Sequence, residues 1–146
     1  MQDIINAFLN VANLKKAGYG DIRVIDKRRE SITVRNAIAE DMTQVSTLGF
    51  GVRVMVNGRW GFASSMTVSE AEVAMITEQA IRIATASSAA GGDTQLWAEA
   101  EAVQGEFVNK VEQDPFAISI EDKLARLVEA DAIMAKAAPV THRAAF

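Results

Sequence analysis

The sequence contains no cysteine, which excludes disulfides and any metal site built on thiolates and fits a reducing compartment. It has a single histidine, His142, near its end. A zincin-type hydrolytic site needs two imidazoles about one helical turn apart and a nearby carboxylate, so the donors for such a site are lacking. His142 stands in a polar tail between Thr141 and Arg143 and reads as a solvated side chain. A serine nucleophile fares no better, because Ser64, Ser65 and Ser69 have no histidine near them in sequence and are better explained by the start of a helix. Long apolar runs are also missing. Charges interrupt each run before it reaches the length of a bilayer-spanning helix, and the opening MQDIINAF lacks the basic start of a signal peptide, so no membrane partner is expected and the default address is cytoplasmic. Nor is there a surplus of base. The 15 Lys and Arg against 19 Asp and Glu leave a net charge of −4, which argues against a phosphate-binding surface and direct nucleic-acid contact.

With 49% hydrophobic and 23% charged residues over 146 positions, what remains is an ordinary globular composition. It is long enough for one domain with a core, or for a domain and part of another. The chain is organised around residues 46–66, STLGFGVRVMVNGRWGFASSM. Val52, Val54 and Val56 alternate with Arg53 and Met55, Asn57-Gly58 offers the two positive-φ residues of a type I′ turn, and Trp60 and Phe62 alternate on the return. A two-residue loop pairs Val56 with Arg59, Met55 with Trp60, Val54 with Gly61, Arg53 with Phe62 and Val52 with Ala63. One face is then a valine row over small residues. The other sets Met55 against Trp60, beside an Arg53 able to stack on Phe62. Apolar groups on both faces predict a central hairpin with cover on each side. Gly49-x-Gly51 and Gly58-x-x-Gly61 superficially suggest a phosphate cradle, but Gly49 and Gly51 run into a strand. They read as permissive backbone for a bulge or for close packing.

Around this hairpin, residues 3–17 form an amphipathic helix with a stripe of Ile5, Phe8, Leu9 and Ala12, favoured by Lys15 and Lys16 and stopped at Gly18. Residues 21–26 and 31–35 alternate as strands, and the charged KRRE at 27–30 between them reads as a turn or strand end in preference to a basic binding loop. Residues 38–45 predict a further strand. Its Glu40 and Asp41 are neighbours that point to opposite faces and so are no catalytic pair. The longest helix covers 69–88, with Ser69 and Glu72 as a capping box, a stripe of Val73, Ile76, Ala80, Ile83 and Ala84, and alanines that allow close approach to the sheet. Residues 87–93 read as a flexible break and 94–111 as a connector with short extended pieces at Leu96-Trp97 and Phe107-Val108. A last helix follows Ser119, with Asp122 at its third position and Leu124, Leu127, Val128 and Ala135 on one face, closed by Pro139. The predicted fold class is α+β, a mainly antiparallel sheet packed by amphipathic helices. The predicted division is a domain at 1–90, with 91–146 as connector and helix leading into a following domain.

The run GFGVRVMVNGRWGFASS resembles the signature segment of the TldD/PmbA family, described as modulators of DNA gyrase and as metallopeptidases. YGDIRV (residues 19–24) and DPFAISIEDKLARLVEAD (residues 114–131) fit the same family in the same order, and both look more like its TldD branch than its PmbA branch. The resemblance implies an amino-terminal, non-catalytic region that contributes to subunit assembly and peptide access. The family's His-Glu-x-x-x-His helix has no counterpart here, so no catalytic, cofactor-binding or metal-binding residue is assigned to this chain. A divalent metal, zinc, is implied only for the full-length protein. The implied partners are a catalytic carboxy-terminal domain, a second copy or a paralogous subunit, and an unfolded peptide. The competing expectation, from the residues alone, is a stand-alone protein-interaction module that uses exposed Met55, Trp60 and Phe62.

Overall fold

The structure is a computed structural model that describes residues 2–15, 17–91, 94, 103, 105–137 and 140–146. In chain order it contains α1 (Gln2–Leu14), β1 (Tyr19–Arg35), β2 (Ile38–Val56), β3 (Arg59–Ser65), α2 (Glu70–Ala89), a 3₁₀ turn (Pro115–Ala117), α3 (Ile120–Met134) and β4 (Ala144–Ala145). Among the described residues the strands form one sheet in the order β3-β2-β1-β4. The β2/β3 and β1/β4 pairs are antiparallel, and the fold is the α+β class expected. The hairpin supplies one margin of the sheet and one interior strand. The chain forms two compact units, Met1–Lys27 with Ser46–Ala100 and Arg28–Val45 with Glu101–Phe146.

In the first unit the hairpin has the predicted register throughout, from Val56 opposite Arg59 to Val52 opposite Ala63, and continues to Phe50 opposite Ser65. Asn57 and Gly58 have φ of 49° and 71°, the two left-handed residues of a type I′ turn. The valine face carries the core. Phe50, Val52, Val54 and Ala63 are buried with Phe8 and Ala12 of α1 and with Val73, Ile76, Ala80, Ile81 and Ala84 of α2. Gly61 allows this packing, because a Cβ there would lie 2.0 Å from the Ala80 carbonyl oxygen and 2.6 Å from the Ala84 nitrogen. The helix backbone thus rests directly on the strand, where any side chain would hold it away.

Two helix stripes differ from expectation. Ile81 is buried where Ile83 was expected, and Leu9 of α1 is exposed while Ile4, Ala7 and Val11 pack on the core. A helical apolar arc is wide enough that sequence spacing leaves its centre uncertain by about one residue's rotation, roughly 100°. Ser69 caps α2 by accepting from Glu72 N at 3.3 Å. The Glu72 carboxylate accepts instead from Ser65 Oγ at 2.7 Å, which ties the end of β3 to the first turn of the helix rather than closing a reciprocal box.

The KRRE segment is a correction, because residues 27–30 continue β1 without a turn. Asp26 to Arg29 are exposed, so their charge reflects solvent around an uninterrupted strand and not a chain reversal. The reversal comes at Asn36-Ala37, with φ of 48° and 65°, and the strand expected at 38–45 is the first part of the 19-residue β2.

In the second unit, Ser119 caps α3 by accepting from Asp122 N at 3.0 Å. Leu124, Leu127 and Val128 are half-buried, along the stripe expected. Ile32 and Val34 of β1 are buried, and β4 pairs with β1 through Val34–Ala145 and Arg35–Ala144. Of the break and connector expected at 87–111, residues 96 and 97 among others lie outside the described residues, while Phe107 and Val108 are exposed and in no strand.

Candidate functional site: an open sheet face with an arginine pair

Alternation along β2 places Val52 and Val54 under the helices, and so turns Gly51, Arg53 and Met55 to the other face. Antiparallel pairing adds Trp60, Phe62 and Ser64, which stand opposite Met55, Arg53 and Gly51. Asp21, Arg23 and Ile25 of β1 join Gly51, Arg53, Phe62 and Ser64 in bordering a groove of about 800 Å³. Its walls are Ile25, Leu48, Phe62 and Met66, and Thr47 and Ser64 add hydroxyls.

Arg53 organises one end. Its Nε and a terminal nitrogen both reach Asp21 Oδ2, at 2.8 and 2.7 Å, while Arg23 Nε stands 3.6 Å from Asp21 Oδ1. One carboxylate between two guanidiniums leaves this end with a net positive charge in an acidic chain. The hydrogen bond from Arg53 to Asp21, with their charge attraction second, raises the Arg53 pKa above its ordinary value, since both favour the charged form. The guanidinium also lies 4.9 Å from the Trp60 ring centroid and 6.0 Å from that of Tyr19, and those two rings meet edge to face at 5.5 Å. The expected partner, Phe62, is replaced by Trp60 because Asp21 draws the guanidinium along the strand toward β1. Phe62 is left 60% exposed, with its ring across Gly51, where an added Cβ would come within 3.0 Å of it. Of the three residues expected to be exposed, only Phe62 is so. Met55 is 6% exposed and Trp60 is half-buried.

The groove offers apolar area, hydroxyls and cationic hydrogen-bond donors, so it is equipped for binding. Among the described residues no group of three or more His, Cys, Asp or Glu could hold a metal ion. The donor set here therefore does not fit the divalent metal implied for the full-length protein, and no step can be routed through one. His142 is exposed, its Nδ1 3.2 Å from Thr141 Oγ1. Ser65 and Ser69 are engaged in starting α2. No helix is long and apolar enough to cross a membrane, among the described residues.

The second unit holds polar pairs that composition did not reveal. Asp131 is 1% exposed and accepts from Arg143 Nε at 3.1 Å, while Arg143 N donates to Asn36 Oδ1 and its carbonyl accepts from Asn36 N. Lys123 pairs with Glu30, and the Arg28 guanidinium stacks 4.4 Å from the Phe116 centroid. Asp114 caps the 3₁₀ turn by accepting from Phe116 N at 2.9 Å. The Asp-Pro-Phe run thus serves as cap, first turn residue and cation-binding ring. Its signal in the sequence was the aspartate before a proline, a turn-initiating pair.

Residues 20–84 match the model for PmbA/TldA metallopeptidase domain 1. The chain is 25% identical over 119 residues to a metalloprotease of Methanocaldococcus jannaschii, an alignment covering 79% of this chain and 26% of that protein. Among solved structures, a putative modulator of a DNA gyrase from Thermotoga maritima superposes with a TM-score of 0.72 at 14% identity, over 97% of this chain and 31% of that one. TldE from Thermococcus kodakarensis gives 0.61 at 17% identity, over 89% and 30%. At these identities the two structures share the fold. The chain spans about a quarter of the curated relative and under a third of each structure. Both the matched hairpin region and the shared fold agree with the signature read from the hairpin, and over residues 20–84 the chain is similar to the first domain of the PmbA/TldD metallopeptidases.

Proposed function

We propose that this chain is the amino-terminal, non-catalytic region of a cytoplasmic TldD-like metallopeptidase. In this reading it contributes to subunit assembly and to the access of an unfolded peptide to a zinc site carried elsewhere in the protein. The observation that carries the reading is the family match over residues 20–84 in a chain that covers only 26% of the metalloprotease it resembles. The groove of the first unit supports the access role, since it combines apolar walls with hydrogen-bonding groups, and no histidine stands among its lining residues to activate the hydroxyls of Thr47 and Ser64. The test compares peptidase activity and metal content of the isolated chain with those of the complete reading frame that encodes it. Metal-dependent hydrolysis by the longer protein, with neither activity nor stoichiometric metal in the isolated chain, is the result expected. A chain that hydrolyses peptides alone, or a reading frame with no His-Glu-x-x-x-His segment, would refute it.

A second reading, a stand-alone interaction module, is favoured by the exposed Ile25, Leu48, Phe62 and Met66 that border one groove. It would be preferred if the reading frame carries no catalytic segment and a specific protein partner protects Phe62.

A further inference from the structure

Alternation along β2 puts Gly49, Gly51 and Arg53 in file on the face away from the helices, and because Ile22 and Val24 of β1 pack on the core, Arg23 and Ile25 take that outer face too. The two glycines raise no side chain. The floor between β1 and β3 is therefore bare backbone, with Arg23 and Ile25 on one bank and Phe62, Ser64 and Met66 on the other. The Gly49-x-Gly51 spacing, which lacks the helix that a phosphate cradle needs, serves to keep a trough open. From Gly49 to Arg53 it runs about 14 Å at roughly 3.4 Å per residue. β3 ends at Ser65, so the Gly49 end is open. The Arg53 end is closed, because the next places on the same face hold the buried Met55 and the Tyr19 and Trp60 rings, which meet edge to face.

The closed end also carries the charge. Arg53 uses two nitrogens on one oxygen of Asp21, while Arg23 stands 3.6 Å from the other oxygen, beyond hydrogen-bond distance, with its side chain 72% exposed. Two guanidiniums thus share one carboxylate, and one positive charge is left over. We propose that the trough receives the carboxy-terminal end of an extended apolar peptide, with the terminal carboxylate on Arg23 and the last side chains against Ile25, Phe62 and Met66. A surplus of one charge is matched by a carboxylate and exceeded by a phosphate dianion. The carboxylate belongs to a chain end, since the filled row beyond Arg53 leaves no path for a chain to continue. The hydroxyls of Thr47 and Ser64 suit peptide amides and offer nothing to the methylenes of an acyl chain, which makes a peptide the fitting occupant. This deepens the access role proposed above and rests on that reading for the peptide's being a substrate.

The test is calorimetric titration of the intact chain with an acetylated hexapeptide of leucine and alanine, once as the free acid and once as the carboxamide. The acid is expected to bind and the carboxamide to bind about tenfold more weakly, a gap that salt at about 0.5 M should largely close. Arg23→Gln, at an exposed position that spares the fold, should bring the acid down to the carboxamide and leave the carboxamide unchanged. A general loss of packing would weaken both peptides alike. Gly51→Val raises a side chain from the floor and should weaken both, and Ser64→Leu fills the trough from the other bank if the first variant does not fold. Equal binding of acid and carboxamide, an acid indifferent to Arg23→Gln, dodecanoate bound where the peptide acid is not, or peptide binding lost in the complete protein that the reading frame encodes would each overturn the proposal. Binding is read without metal or hydrolysis, so its failure leaves the metallopeptidase reading standing. A reading frame without a catalytic segment would sink that reading and leave the binding result intact.

Discussion

The α-carbon of Gly61 lies against the Ala80 carbonyl, so closely that a Cβ would stand 2.0 Å from that oxygen. The obstructing atom is helix backbone, which cannot rotate aside as a side chain would. Gly61→Ala is therefore expected to lift α2 from the sheet and to cost about 3 kcal/mol, at the upper end of overpacking penalties. Urea unfolding of the variant measures this, and a cost under about 1 kcal/mol would mean that the helix sits further from β3 than described.

The two type I′ turns are expected to respond in opposite directions. At Gly58, φ of 71° suits glycine, and Gly58→Val should destabilise by about 1–2 kcal/mol because a β-branched residue is forced into the left-handed region. At Ala37, φ of 65° is already borne by a residue with a Cβ. Ala37→Gly should then stabilise by about 0.5–1 kcal/mol. Thermal melts of both variants test the pair, and an unstable Ala37→Gly protein would show that unfolded-state entropy outweighs the relief of strain.

The buried Asp131 depends on Arg143, a residue near the end of the chain. Asp131→Ala removes one member of the pair and leaves a guanidinium only 18% exposed without its counter-charge. A loss of about 3 kcal/mol is expected, and Asp131→Leu with Arg143→Met together should recover much of it. Chemical denaturation of the single and double variants gives the coupling directly.

The Arg53–Asp21 pair is expected to contribute evenly across the working pH range. Its hydrogen bond raises the Arg53 pKa, so the stability linked to that shift is fully present below the unfolded-state pKa and lost only as pH rises through the folded one, both far above the working range. Arg53→Met should lower the thermal midpoint and alter Trp60 emission by the same amount at about pH 6 and about pH 9. A difference that grows steadily between those values would show that another titrating group governs the site.

The hairpin was legible because every local signal in it agreed. Alternating valines, Asn57-Gly58 and the return strand specify one register, and a slip by one residue would have turned the whole valine row to solvent. The caps at Ser69 and Ser119 were legible for the same local reason, since each acts within three residues of itself. By contrast, the sequence carried no sign that residues 27–30 stay extended. Charge marks exposure, and exposed strand and exposed turn have the same composition. The turn at Asn36-Ala37 was hidden because alanine is an unusual residue at positive φ, tolerated there because the strands on either side hold it.

What the sequence determined by itself was the class of fold, the register of β2 with β3, the absence of donors for a thiolate or zincin-type metal site, and the family signature. All of these depend on residue type or on neighbours along the chain. What only the tertiary structure decided was which partner each long side chain takes. Arg53 could stack on Phe62 by register alone, but Asp21, 32 positions earlier in the chain, draws it to Trp60 and leaves Phe62 exposed. Asp131 reads as a surface residue of α3 until β4 brings Arg143 beside it. In each case a charge is settled by a group distant in sequence, because ion pairing depends on separation in space, which only the folded chain specifies.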